Sequence, residues 1–414
     1  MNRYSSIPPF ASDVGIDAAL DQYFPYYQPL IELSTGQVVG HEALARTTNE
    51  QGQVISAAPL FFDSSLPEDW VLNVDRAIRR QALHGYAHMP ADSFIALNIS
   101  PVWIDRLANM NVIPTLAMIE EVGLDPKRVV VEVTERSGDL ENLKFLTREY
   151  QRHGIRVAID DFGSGASQVD RIIALEPDII KLDMGLFKEA SRGGGAADIA
   201  LSMTSMAMRA GCQIVCEGVE TQDEFDFAVE CGADIVQGWI YAPARANPIS
   251  SNAYVEPTQT LKRQYLERKA ATFERSYRHR LSVEQLARQL CGWWRACEDI
   301  SLLHRNVQLA TFQELGILRF YLCNSTGTQV SPNFELSGDS VQSDGAMQGR
   351  NWSHRPYFPH LIGIRDLPLE QMVVSGAYRD IRSDDMCKTY AVVLAEDSIL
   401  MLDVQVHDQV LFTR

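Results

Sequence analysis

Between about residues 23 and 243, short runs rich in β-branched and apolar residues alternate with longer stretches whose apolar positions recur every three or four residues. That rhythm predicts parallel strands covered by helices. The strand segments are YYQPLIEL, QVVGHEAL, SFIALNIS, RVVVEVTE, IRVAIDD, DIIKLD, QIVCEG and DIVQG. Between them DWVLNVDRAIRRQAL, VWIDRLANMNVIPTLAMIEEV, DLENLKFLTREYQRHG, IALSMTSMAMRAG and TQDEFDFAVECG read as helices. About eight strands in roughly 220 residues suit a closed β/α barrel better than an open sheet. Only Ser34-Thr35-Gly36 separates the first two strands. That is too short for a helical crossover, so a hairpin must open the barrel.

The pattern changes after Pro243. ARANPISSNAYVEPTQT reads as a link, and in the run that follows, from Lys262 to Arg280, seven of nineteen residues are basic and two acidic. Such a run is most simply a solvated helix face. At Leu281-Ser282-Val283-Glu284-Gln285-Leu286 a new helix is expected to begin, with Ser282 as its cap and Gln285 completing a capping box. From about Gly316 the chain turns β-rich, in ILRFYLCN, MVVSGAYRDI, CKTYAVVLA and ILMLDVQV. The expected organisation is an N-terminal extension over 1–18, a barrel over 19–250, linker helices over 251–300 and a smaller α+β domain over 301–414.

Composition narrows the function classes. Across 414 residues, 37 Lys and Arg stand against 54 Asp and Glu, a net charge of −17, which argues against general nucleic-acid or anionic-membrane binding. With 46% hydrophobic residues the chain can bury a large core. No secretory signal and no apolar run of membrane-spanning length is visible, so a cytoplasmic protein is expected. The seven cysteines form no CxxC pair and fit reduced thiols.

The chemistry lies at the strand ends. Glu42, Asn98, Glu132, Asp160 with Asp161, Lys181 with Asp183, Glu217 and Gln237 each stand at or near the C-terminal end of a different apolar run. In a barrel those ends converge on one face, where active sites are built. Glu42, Asn98, Glu132, Asp160 and Asp161 are hard oxygen donors suited to Mg2+ or Mn2+. So many carboxylates do not all stay ionised side by side without a cation. Asp160 and Asp161 are neighbours, so on a regular strand they would face opposite ways. If the strand is broken at Phe162-Gly163-Ser164-Gly165, both can serve two ions about 3.5 to 4 Å apart, an arrangement suited to in-line attack of water on a phosphodiester.

Taken in order, Glu42-Ala43-Leu44 with Arg46, the Asn98 strand, Glu132-Val133-Thr134-Glu135, Asp160-Asp161-Phe162-Gly163, Lys181-Leu182-Asp183, Glu217-Gly218-Val219-Glu220 and Gln237-Gly238 resemble the EAL-domain family of cyclic di-GMP phosphodiesterases. The resemblance covers about residues 19 to 250. It implies a modified (β/α)8 TIM-like barrel that hydrolyses cyclic di-GMP to linear pGpG with Mg2+ or Mn2+, two ions in all, and with Ca2+ inhibitory. Carried over by motif, Glu42, Asn98, Glu132 and Asp160 ligate one metal and Asp161 the second. Lys181 contacts the attacking water, and Glu217 is a base or a second-metal ligand. Arg46, Asp183, Glu220 and Gln237 line the substrate, and Glu135 braces the loop from Asp161 to Gln168, which the family couples to dimerisation.

Three departures spare every expected ligand: Gly165-Ala166-Ser167-Gln168-Val169 where the family often has GYSSL, Thr47 where a Trp often follows the Arg, and an early Pro243. They bear on loop motion and turnover rather than on binding. The competing function is a barrel that binds cyclic di-GMP without useful turnover and signals to a protein partner.

Downstream, the stretch from Asn351 to Phe358, NWSHRPYF, and the β-rich order after it are similar to Cache or PAS-like sensor domains and to the YkuI-type domain that follows some EAL barrels. That similarity makes Trp352, Arg355, Tyr357 and Tyr378 a small-ligand pocket through which this domain regulates the barrel. The helical link is expected to join a homodimer.

Overall fold

The computed structural model describes residues 20–406 apart from 64, 100–103, 105–112, 135–139, 166–167, 298, 304–308, 338–339, 365–371, 384 and 396. The chain divides into two compact units, residues 1–265 and 266–414.

In the first unit, β1 (Phe24–Glu32), β2 (Val38–Thr48), β3 (Val54–Ser56), β4 (Phe94–Asn98), β5 (Val129–Thr134), β6 (Arg156–Phe162), β7 (Ile179–Leu182), β8 (Gln213–Cys216) and β9 (Ile235–Val236) form one sheet. Its order is β1-β9-β8-β7-β6-β5-β4-β2-β3, and an additional β1–β2 pairing closes eight of the strands into a barrel. β1 runs antiparallel to both of its neighbours, whereas β2 and β4 to β9 pair in parallel. The expected opening hairpin is therefore present, with Gly36 in the left-handed region (φ 78°) at its turn. β3 is an edge strand that the sequence reading did not anticipate.

Period-two alternation sets the two faces of each strand. Leu30, Phe94, Ala96, Val130, Ala158, Ile179, Val215 and Ile235 form one buried cluster, drawn from seven of the strands. The positions between them, such as Ile95, Val131, Ile159, Ile180, Ile214 and Val236, belong to the larger cluster shared with the surrounding helices. The first set is thus the packed lumen and the second the strand-to-helix layer. Gly40 on β2 leaves room for the lumen: a Cβ there would lie 2.7 Å from the Phe94 ring.

The helices Glu68–Tyr86, Leu140–Arg152, Gly195–Arg209 and Gln222–Glu230 fall where apolar periodicity places them. Thr221 caps the last of these in a capping box with Glu224. Of the stretch expected to be helical over 102–122, the described part that forms a regular helix is Pro114–Val122, where Pro114 opens it and Gly123, with φ 72°, closes it.

The expected helix start at Ser282 is not there. One helix runs unbroken from Val255 to Cys297. Its residues between 262 and 281 are dominated by good helix formers and lack Gly and Pro, so nothing interrupts the backbone ladder before Ser282. The Ser282 hydroxyl donates back to the Arg278 carbonyl at 3.1 Å, as a mid-helix serine does, instead of accepting from a first-turn amide.

In the second unit, β10 (Ile317–Cys323), β11 (Asn333–Ser337), β12 (Ser340–Asp344), β13 (Met372–Val374), β14 (Tyr378–Arg379), β15 (Met386–Ala395) and β16 (Ser398–Gln405) build an antiparallel seven-stranded sheet. The β11–β12 hairpin is the part the sequence reading missed, because its polar strands carry little apolar signal. One sheet face, with Phe320, Phe334, Tyr390 and Leu402, packs on Val283, Leu286 and Leu290 of the long helix. The other, with Tyr321, Cys323 and Met401, packs on Phe358 and Leu361. Among the described residues no helix is long and apolar enough to cross a membrane.

Two measurements test these readings. Gly238 lies so close to β8's following turn that a Cβ would come within 1.9 Å of the Val219 carbonyl oxygen. Gly238→Ala is expected to cost more than about 2 kcal/mol, seen as a lowered unfolding midpoint; an unchanged midpoint would remove the close approach. Ser282→Ala is expected to change stability by less than about 0.5 kcal/mol in denaturant unfolding, against about 1 kcal/mol for loss of a true cap.

Candidate functional site

The lumen changes character one layer up. Two residues beyond the apolar positions Ala96, Val130, Ala158, Ile179, Val215 and Ile235 come Asn98, Glu132, Asp160, Lys181, Glu217 and Gln237, and Glu42 holds the same position beyond Gly40. The same alternation that fills the barrel therefore turns these side chains inward near the strands' C-terminal ends. β-register staggers them: Asn98 is level with Glu132, whereas Glu42 pairs with Ala96 and Lys181 with Val215 of the apolar layer.

Lys181 is the hub. It is 2% exposed, and its Nζ lies 2.5 Å from Glu217 Oε1, 2.8 Å from Glu132 Oε2, 3.4 Å from Glu42 Oε2 and 3.5 Å from Asp160 Oδ1. The Glu42 carboxylate is also held from two sides, accepting from Asn98 Nδ2 and from Gln237 Nε2, each at 2.8 Å. Burial works against the Lys181 ammonium, but Asp160, Glu132, Glu217 and Glu42 together hold its pKa well above the usual lysine value. Burial raises Glu42 too, yet Lys181 and the two amides leave it below an ordinary glutamate. Glu132 is driven well above the usual range by burial and by the neighbouring Glu42. Glu217 is pushed up to about 8, chiefly by burial, against the pull of Lys181.

Four carboxylates around one ammonium leave an excess of negative charge that the protein resolves by favouring protonated forms. The donor set suits a hard divalent cation. Gln237 Oε1 adds a buried acceptor with no hydrogen-bond partner among the described residues. Among the described residues no three His, Cys, Asp or Glu side chains are gathered around a common cation position. The ammonium of Lys181 takes the centre of the cluster instead.

Asp160 and Asp161 lie where β6 loses its regularity. β6 continues through Phe162, but its pairing with β7 shifts between Ile159 and Phe162, and Asp161 adopts a left-handed backbone with φ 56°. The bulge breaks the alternation that would send adjacent side chains to opposite faces. A non-glycine residue held at positive φ is a strained choice. Asp160 Oδ1 accepts from the Asp161 amide at 2.9 Å, which steadies the turn.

The remaining expected residues are distributed as follows. Arg46 lies on β2 two steps of alternation beyond Glu42, half-buried, and donates to the Ala45 carbonyl at 2.9 Å; burial lowers its pKa, partly offset by Glu42. Asp183 caps the helix Met184–Ala190 through the Leu186 amide at 2.8 Å. Glu220 is exposed and 3.4 Å from Lys188, which also binds Glu224. Glu135 lies outside the described residues, as do Ala166 and Ser167 of the loop it was expected to brace.

In the second unit Trp352, Arg355, Tyr357 and Tyr378 do come together, lining one cleft that is partly open to solvent. Sequence reasoning missed its charged floor. Arg319 forks onto Asp380 with Nη1–Oδ1 at 2.9 Å and Nη2–Oδ2 at 2.6 Å, and stands opposite Asp403 in the β10–β16 register. The available signal was a lone charge inside each of two apolar runs, Arg319 in ILRFYLC and Asp403 in SILMLDVQ.

Residues 16–244 match the EAL domain, and residues 251–413 match an EAL-domain associated signalling protein domain, YkuI_C. The chain is 26% identical over 397 residues to the uncharacterized EAL-domain containing protein YkuI of Bacillus subtilis, covering 93% of this chain and 95% of that one. It is 28% identical over 243 residues to the cyclic di-GMP phosphodiesterase PdeL of Escherichia coli, covering 56% of this chain and 64% of PdeL. The crystal structure of the Bacillus subtilis YkuI protein, solved with cyclic di-GMP and calcium, superposes with a TM-score of 0.84 at 24% identity over 96% of this chain and 100% of that chain. With a closed barrel, an acidic ring at its strand ends and the matching domain over more than half its length, the chain belongs to the EAL-domain family.

Proposed function

We propose that this protein hydrolyses cyclic di-GMP to linear pGpG and that its second unit regulates the reaction. The observation that carries the proposal is the ring of Glu42, Glu132, Asp160 and Glu217 closed on Lys181, joined by Asn98 and Gln237. PdeL, a family member that matches the barrel region, is named for this activity.

Glu42, Asn98, Glu132 and Asp160 are the residues that would hold one Mg2+ or Mn2+, with Asp161 serving a second. Bound divalent ions would make water a stronger acid and neutralise charge on the reacting phosphate. The chain's own groups do the rest. Lys181, drawn away from its carboxylates, orients the attacking water and offsets negative charge at phosphorus. Glu217, the carboxylate nearest Lys181, takes the water's proton, so that a P–OH bond forms as the ester bond to the 3′-oxygen breaks and that oxygen is protonated. Arg46 would fork onto a substrate phosphate. Gln237 and Asn98 fix the Glu42 rotamer, and so act by positioning. Asp183 and Glu220 are proposed at the edge of the substrate, and Glu135 as the brace of the loop after Asp161. The chain would act as a homodimer.

Incubated with cyclic di-GMP and Mg2+ or Mn2+, the protein is expected to release pGpG, followed by chromatography. EDTA should stop the reaction, Mn2+ should restore it and Ca2+ should not. Tight nucleotide binding without product would instead support a receptor that signals to a partner. Glu42→Ala is expected to reduce turnover by more than the about 10–100-fold that loss of an outer-sphere partner costs. Near-normal activity in that variant would refute its assignment as a ligand.

A further inference from the structure

Glu217 and Glu220 stand at the two ends of the short stretch that joins β8 to the helix Gln222–Glu230. Gly218, between them, has φ 66°. A Cβ there would lie 2.5 Å from Met184 Cγ and 3.6 Å from Lys188 Cε, so the helix Met184–Ala190 lies directly against this stretch. That helix is firmly seated. Asp183 caps it through the Leu186 amide, and the buried Phe187 sets its ring 5.7 Å from that of Phe227 on the helix Gln222–Glu230. The packing brings the next residue, Lys188, to the first turn of the facing helix.

There Lys188 Nζ lies 2.7 Å from Glu224 Oε1 and 3.4 Å from Glu220 Oε1. The other oxygen of Glu224 accepts from the Glu220 amide at 2.7 Å and from the Thr221 amide at 3.1 Å. One carboxylate therefore ties the lysine to the backbone that carries Glu220, while the lysine also faces the Glu220 side chain. Against the effect of burial, Lys188 and the two amides hold Glu224 below the ordinary glutamate range, so the anchor is charged at neutral pH. Val219 secures the same stretch to the chain after β9, donating to the Gln237 carbonyl at 3.1 Å and accepting from the Ile240 amide at 3.0 Å. Among the described residues Lys188 is the one cation within 4 Å of the Glu220 carboxylate.

We propose that Lys188 is a positioning residue for the proposed reaction: anchored by Glu224, it fixes the Glu220 carboxylate at the edge of the substrate. The inference rests on the reading of Glu220 as a substrate-side group. A side chain already held in place loses less freedom when a ligand binds. Glu217 is held separately, 2.5 Å from Lys181, so Lys188 acts on nucleotide binding and leaves the proton transfer alone.

Lys188→Met keeps the methylene stem and a good helix former while removing the charge. It is expected to raise KM for cyclic di-GMP about three- to fivefold, the upper range for a part-exposed ion pair, with kcat within about twofold of the parent. Lys188→Arg should recover most of that loss. In a Glu220→Gln background Lys188→Met should add nothing further, because its action passes through that carboxylate, whereas a mere staple between two helices would give additive effects. Isothermal titration of the full-length variants with cyclic di-GMP in Ca2+ should show the same pattern in affinity, with or without turnover. Amide hydrogen exchange reads the clamp without nucleotide: Glu220 and Thr221 should exchange at least about threefold faster in Lys188→Met while Phe225 and Ala228 keep their protection. Unchanged KM and affinity in Lys188→Met, additive effects in the double variant, or unchanged exchange at Glu220 and Thr221 would overturn this assignment alone. No binding of cyclic di-GMP by the parent protein would overturn the functional reading of the barrel, and the assignment with it.

Discussion

The barrel is organised around a buried ammonium that is outnumbered by carboxylates. Lys181 is almost wholly removed from water and lies within 3.5 Å of Glu42, Glu132, Asp160 and Glu217. Isolated, any one of these charges would be costly to bury. Together they are tolerable only because each strand end supplies a partner, and the imbalance of charge that is left is what a bound cation would offset. The lysine is thus a structural counter-ion as well as the central group of the proposed chemistry.

That arrangement depends on the layer below it. Leu30, Phe94, Val130, Ile179, Val215 and Ile235 fill the lumen, so the polar ring rests on a packed floor rather than on water. Gly40 makes room for Phe94, and Gly238 allows the chain after Gln237 to pass against Val219. Gln237 then reaches back to Glu42 across 195 residues of sequence. One local irregularity lies beside the ring, the left-handed Asp161 at the β6 bulge, which breaks strict alternation at two adjacent aspartates.

The second unit solves a similar problem with the opposite balance. Arg319 and Asp403 are placed opposite each other on neighbouring strands, and Asp380 completes the neutralisation of the arginine. The aromatic side chains Trp352 and Tyr378 are held by polar anchors, and Arg355 lies against their rings with no ion pair among the described residues. In the barrel the surplus is negative and buried; in this cleft Arg355, without an ion pair among the described residues, is positive and half-exposed.

Much of this was legible from residue order. The near-continuous apolar runs, the three-residue gap before Gln37 and the polar residue closing each run determined a barrel opened by a hairpin, with Glu42, Asn98, Glu132, Asp160, Lys181, Glu217 and Gln237 on one face, because period-two alternation and the convergence of strand ends are local rules. The helix through Ser282 was misjudged because a capping motif has force only where a helix begins, and whether one begins there depends on the segments before it. The β11–β12 hairpin escaped notice because its residues carry little apolar pattern, and Arg319 with Asp403 because a lone charge in an apolar strand declares its partner only once strand register is known. Which carboxylate lies nearest Lys181, how β6 bulges at Asp161, and that Arg355 lies against the Trp352 and Tyr378 rings were decided by tertiary structure, since each depends on residues that the chain brings together only on folding.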